Sequence, residues 1–136
     1  MKVRFNRVEL LLPQDEMADM IRVMEDLFDT KMAAPDLIES EQVLASVNYD
    51  LGFEVFGPAG PTSPLHARLE ANGGKGTVGP IVWEVDDIEE ARARILEKGY
   101  TIVYEFETDD VHQLHLDRDE MHGFGITFTQ LKRRRP

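Results

Sequence analysis

Sliding the chain over itself by about 73 residues brings its two halves into step, the mark of an internal duplication. Val8 falls on Ile81, Leu12 on Val85, the helical pattern from Asp15 on the one from Ile88, and Glu54 on Thr127. One offset fits both ends, so the chain reads as a single unit written twice. The clearest copy starts at Gly79. Ile81, Val82, Trp83 and Val85 are β-branched or aromatic, as a strand prefers, and Pro80 is tolerable only at a strand's first residue. Asp86 and Glu89 stand at capping-box spacing and predict a helix beginning at Asp87. Ile88, Ala91, Ile95 and Leu96 share its apolar face, and Gly99 supplies a left-handed stop.

The first copy opens with a strand over Val8 to Leu12 that Pro13 closes. Met17, Met20, Ile21, Met24, Leu27 and Phe28 then recur at three and four residues, behind Asp15, Glu16 and Asp19 in the first turn. That spacing reads as a core-facing helix rather than a methionine-lined cofactor box. Short strands follow near 37–39, 42–49 and 52–56. From Gly57 to Gly79, glycine and proline crowd the sequence, which marks a linker. Its Gly-Gly-Lys-Gly-Thr run lacks the spacing of a phosphate loop, with no strand expected before it and no helix after. Strands near 101–105, 111–116 and 123–130 complete the second copy. The expected boundaries are a first unit at 1–57, a linker at 58–78, a second unit at 79–131 and a basic tail at 132–136. A short β-α-β-β-β unit does not easily bury both faces of its sheet. The expectation is an α+β fold in which two tandem β-α-β-β-β units form one curved, cleft-like mixed sheet with helices outside.

Composition narrows what such a cleft would serve. The 136 residues are 42% hydrophobic and 30% charged, a globular balance with no apolar run of membrane-span length. The opening residues carry no signal-peptide pattern, so the expected compartment is the cytoplasm. Zero cysteines removes disulfides, thiolate metal sites and a cysteine nucleophile together. A net charge of −11 argues against nucleic acid and anionic membranes as partners. The basic run from Lys132 to Arg135 reads as a solvated tail.

Four stretches together resemble the vicinal oxygen chelate superfamily, the glyoxalase, bleomycin-resistance and extradiol-dioxygenase group. They are Arg-Val-Glu-Leu-Leu-Leu-Pro at 7–13, Gly-Phe-Glu-Val-Phe-Gly-Pro at 52–58, Trp-Glu-Val-Asp-Asp-Ile at 83–88 and His-Gly-Phe-Gly-Ile-Thr-Phe-Thr-Gln at 122–130. The resemblance covers nearly the whole chain, and the second half looks most like the methylmalonyl-CoA epimerase branch. It implies a metal ligand on each of four strands, at positions that fall here on Arg7, Glu54, Pro80 and Thr127. A divalent site needs three or four good donors, and only Glu54 survives, so no metal and no other cofactor are expected. A displaced site using His66, His112, His115 or His122 is the alternative. The branch's second base falls near Ala45, so its two-base chemistry is not supported.

Strand parity extends the set. If Arg7 faces the cleft, so do Phe5 and Glu9; Phe56 follows Glu54, and Val82 follows Pro80. The expected catalytic residues are Glu54, Arg7 and Glu9, with Phe5, Phe56, Val82, Thr127 and His115 binding the substrate. Arg7 paired with Glu54 or Glu9 for structure alone is the other reading. The resemblance implies a metal-independent isomerase or lyase that abstracts a proton beside the carbonyl of a small metabolite. Its alternative is a drug- or metabolite-sequestering protein of the bleomycin-binding type. Unpaired sheet edges and the pairing habit of the superfamily predict a homodimer.

Overall fold

The computed structural model describes residues 1–132. Of the basic tail expected at 132–136 only Lys132 is among them, its ammonium 2.8 Å from a Glu107 carboxylate oxygen; the rest lies outside the described residues. The chain divides into two compact units. One is Val8–Gly79, and the other joins Met1–Arg7 to the residues from Pro80 onward.

The Val8–Gly79 unit takes its first strand from the end of β1 (Val3–Leu11), followed by α1 (Gln14–Phe28), β2 (Asp36–Ile38), β3 (Val43–Asn48), β4 (Phe53–Pro58) and α2 (Leu65–Ala71). β1 runs parallel to β4, while β4 with β3 and β3 with β2 are antiparallel. The methionine stripe is core. Met17 and Met24 of α1 pack with Met32 and Val55, joined by Leu12, Met20, Ile21, Leu44 and Phe53. Gly57 lets this layer close, since a Cβ there would lie 2.4 Å from the Leu12 carbonyl oxygen. On the opposite side of these strands Leu11 and Phe56 pack against Leu69, with Val43, Ala45 and Leu65 around them. Leu65 and Leu69 belong to α2, which stands inside the segment expected to be only a linker. It also precedes the Gly-rich run, and strand β5 begins at Thr77, so that run leads from a helix into a strand, the reverse of a phosphate loop and in keeping with the expectation. Through Leu69, Phe56 is anchored by a helix that composition concealed.

The second unit contains β5 (Thr77–Val85) from Pro80 on, α3 (Ile88–Glu97), β6 (Ile102–Glu107), β7 (Val111–Leu116) and β8 (Ile126–Leu131). Its pattern repeats the first, with β5 parallel to β8, and β8 with β7 and β7 with β6 antiparallel. A shift of 73 residues carries the register pair Glu9 and Glu54 onto Val82 and Thr127, so the duplication extends to strand register. α3 buries Ile88, Ala91 and Ile95 against Val85, Leu114 and Leu116. Its cap sits one residue later than the sequence spacing implied. Asp87 is the N-cap and accepts from the Glu89 and Glu90 amides, while Asp86 accepts from the Lys2 amide. Gly99 takes the expected left-handed conformation at φ 84°. Among the described residues no helix is long and apolar enough to cross a membrane.

Candidate functional site

In the Val8–Gly79 unit the parallel pairing of β1 with β4 places Glu9 and Glu54 in direct register. Register partners on adjacent strands stand about 4.8 Å apart at the backbone and project to the same side. Both carboxylates are buried, at 8% and 7% exposure. Leu11 and Phe56, two residues on along the same strands, share their side and form an apolar wall with Leu69 of α2. Two adjacent buried acids on one side of the strands are of the residue type that takes a proton from a substrate.

In the second unit Val82, Thr127, His115 and Tyr104 follow one another in register across β5, β8, β7 and β6. Val82 is fully buried and Thr127 nearly so. The Thr127 hydroxyl lies 3.2 Å from His115 Nδ1, and the Tyr104 ring meets the imidazole edge-on at 5.3 Å. Arg7 is 3% exposed and donates from Nη1 to Asn6 Oδ1 at 2.6 Å. Burial, and then the positive charge of Arg7, push the His115 pKa down to about 4. His115 is therefore a neutral imidazole at pH 7, able to donate or accept but carrying no charge. Thr129, one step along the same side, is fully buried and its hydroxyl has no hydrogen-bond partner among the described residues.

Phe5 stands apart from this row. It is 52% exposed and packs edge-on against Trp83 at 5.9 Å, so parity with Arg7 did not carry it to Val82 and Thr127. The aromatic pair supplies the physical reason, since such contacts are worth about 1 kcal/mol beyond burial. The other histidines do not converge. His66 is bonded to the Gly60 carbonyl, His122 is exposed at φ 59°, and His112 contacts Glu105 and Glu107. His112 also projects to the opposite side of β7 from His115, three residues away. Sequence reasoning passed over Tyr104, Gln113 and Thr129. The alternation of Gln113 with His115 and of Thr129 with Thr127 was the available signal, whereas Tyr104 is a partner from the next strand, β6.

No protein-family model matches the chain, and no curated protein does. Solved structures do. A methylmalonyl-CoA epimerase from Mycobacterium tuberculosis superposes with a TM-score of 0.78 at 12% identity, covering 93% of this chain and 86% of its own. A hypothetical protein from Bacillus halodurans gives 0.82 at 16% identity over 100% and 99%. A methylmalonyl-CoA epimerase in complex with methylmalonyl-CoA and ammonium gives 0.78 at 16% identity over 96% and 95%. The chain has the fold of these methylmalonyl-CoA epimerases. At these identities the likeness is one of architecture, and the α+β class expected from the duplication is the one found.

The ligand positions that the vicinal oxygen chelate resemblance implies do not fit a divalent ion. Pro80 is buried and has no donor, Arg7 brings a positive charge, and the Thr127 hydroxyl is engaged with His115. Among the described residues no group of three or more His, Asp or Glu side chains is arranged to hold a metal. Three of the four positions that the resemblance implies thus carry other chemistry.

Proposed function

We propose that the chain is a metal-independent, glyoxalase-like isomerase or lyase that removes a proton beside the carbonyl of a small metabolite, with Glu54 as the base. The observation that carries this reading is the pairing of Glu9 and Glu54, buried register partners facing the same side as an apolar wall. A positioned general base contributes roughly two to four powers of ten in rate. The epimerase complex with methylmalonyl-CoA supports an acyl thioester as one form the carbonyl could take.

Ala45 narrows the reaction. It faces Phe56 in register and packs beside Leu11 and Leu69, so the position expected for a second base carries no acid. Glu9 and Glu54 project to the same side of their strands, so a proton taken by either carboxylate returns to the face from which it came. That geometry supports a proton shift on one face, or an elimination, rather than inversion of a stereocentre.

Deuterium exchange tests the reading. In heavy water, a panel of small acyl thioesters and α-oxo compounds should yield a substrate that gains deuterium beside its carbonyl. Glu54→Gln should abolish that exchange while ligand binding survives. Exchange at the wild-type rate in this variant would remove Glu54 as the base. A ligand that binds and returns without deuterium would favour the sequestering protein instead.

A further inference from the structure

The second unit contains a cavity of about 560 Å³ that the candidate site does not use. It lies on the α3 side of the strands, lined by Trp83, Ile95, Leu116, Met121, Ile126 and Phe128. Trp83 and Phe128 are register partners, one residue along from Val82 and Thr127, so the cavity opens on the opposite side of the strands from His115. Its size falls within the range of small-molecule sites, about 300 to 1,000 Å³. Its wall is almost wholly apolar, so nothing inside could orient a hydrophilic ligand.

The mouth differs from the interior. Arg94 and Lys98 also line the cavity, four residues apart and so on one face of the helix end. Their contribution to an apolar wall comes from their methylene stems, which leaves the charged heads in water at the rim. Neither head has an ion pair or a side-chain hydrogen bond among the described residues. The contrast with Arg92 is sharp, because that residue is held by Glu89 and Glu105 together. Acidic side chains outnumber basic ones 26 to 15 in this chain, so two unpaired cations over one apolar hole is an uncommon arrangement here. Basic residues in a last helical turn also complement the helix dipole. That accounts for their sign and not for the empty apolar volume beneath them.

We propose that this cavity binds a single-chain amphiphile with an anionic head, of the fatty-acid class. The alkyl tail fills the space between α3 and the strands, and the carboxylate meets Arg94 and Lys98. The assignment is independent of the proton-transfer reading, since it uses the other side of the strands and none of its residues.

Trp83 is the chain's one tryptophan, so its fluorescence reports this cavity alone. Titration of the full chain with dodecanoate, below its micelle concentration, should give a saturable change in emission. Affinity should rise from octanoate through decanoate to dodecanoate, by up to about fourfold per buried methylene. Arg94→Gln with Lys98→Gln, both exposed, should weaken dodecanoate about three- to tenfold and leave dodecanol unaffected. Ala91→Leu should fill the cavity and remove the response, with circular dichroism confirming the fold; the surface double variant decides the matter if that protein does not fold. No saturable response overturns the proposal. So does dodecanol binding as tightly as dodecanoate, or an unchanged affinity in the double variant. Trp83 emission that follows protein concentration and ignores dodecanoate would assign the face to a second copy of the chain, and overturns it as well.

Discussion

The Thr127 hydroxyl lies 3.2 Å from Nδ1 of His115 on the neighbouring strand, at a register pair between β8 and β7. The pairing fixes the ring where burial and the Arg7 charge both oppose its protonation. An NMR titration should therefore find the His115 midpoint near pH 4, and Arg7→Met should move it upward. A midpoint near 6.5 in the parent protein would contradict the geometry. The linkage has a definite sign. Between about pH 6.5 and 4 the unfolded chain takes up a proton at this position that the folded chain refuses. Stability should fall with falling pH across that window, by up to about 3 kcal/mol from this group alone. His115→Gln should flatten the slope there.

Thr129 should be better as valine. Its hydroxyl is buried and unpartnered among the described residues, and an unmatched polar group costs about 1 to 3 kcal/mol. Thr129→Val keeps the branched shape and should raise the denaturation midpoint, with a gain of about 1 kcal/mol by urea titration. A loss of stability would mean that the hydroxyl does have a partner, such as an ordered water.

The cap of α3 makes a paired test. Asp87 accepts two amide hydrogen bonds at 3.0 and 3.1 Å, and Asp87→Ala should cost about 1 kcal/mol. Asp86→Ala removes only an exposed contact to the Lys2 amide and should cost less. Equal losses, or the reverse order, would restore Asp86 as the cap that its spacing to Glu89 implied.

Metal content can be measured directly. With Pro80 and Thr127 at two ligand positions and Arg7 at a third, elemental analysis should find no stoichiometric transition metal. One zinc, iron, nickel or manganese per chain, lost in Glu54→Gln, would reverse that expectation.

What the sequence disclosed, it disclosed through repetition. The helix at Ile88 and the methionine face of α1 were legible from their apolar period of 3.6, and the 73-residue offset matched the two halves, whose strand registers the structure then shows to correspond. α2 was not legible. Seven residues with Leu65 and Leu69 as their main apolar anchors are too few to stand out among the surrounding glycines and prolines. Phe5 was misplaced because parity assigns a side within one stretch of strand and is silent about which aromatic neighbour competes for the ring. His115 could be named from the sequence, but its neutrality could not, since that depends on burial and on a charge more than a hundred residues away.

The division of β1 sets an order of assembly. Residues Val8–Gly79 form a compact unit from one continuous stretch, so its contacts can close as soon as that stretch has left the ribosome. The other unit joins the first seven residues to partners some eighty positions later: Arg4 to Glu84, Asn6 to Glu84, Lys2 to Asp86 and Phe5 to Trp83. Loops that long close late, because their entropy must be lost before any contact rewards it. During synthesis residues 1–7 thus find their place only after the stretch from Pro80 has been made. Arg7 is one of them, so its charge reaches His115 only after a stretch more than a hundred residues later has been made.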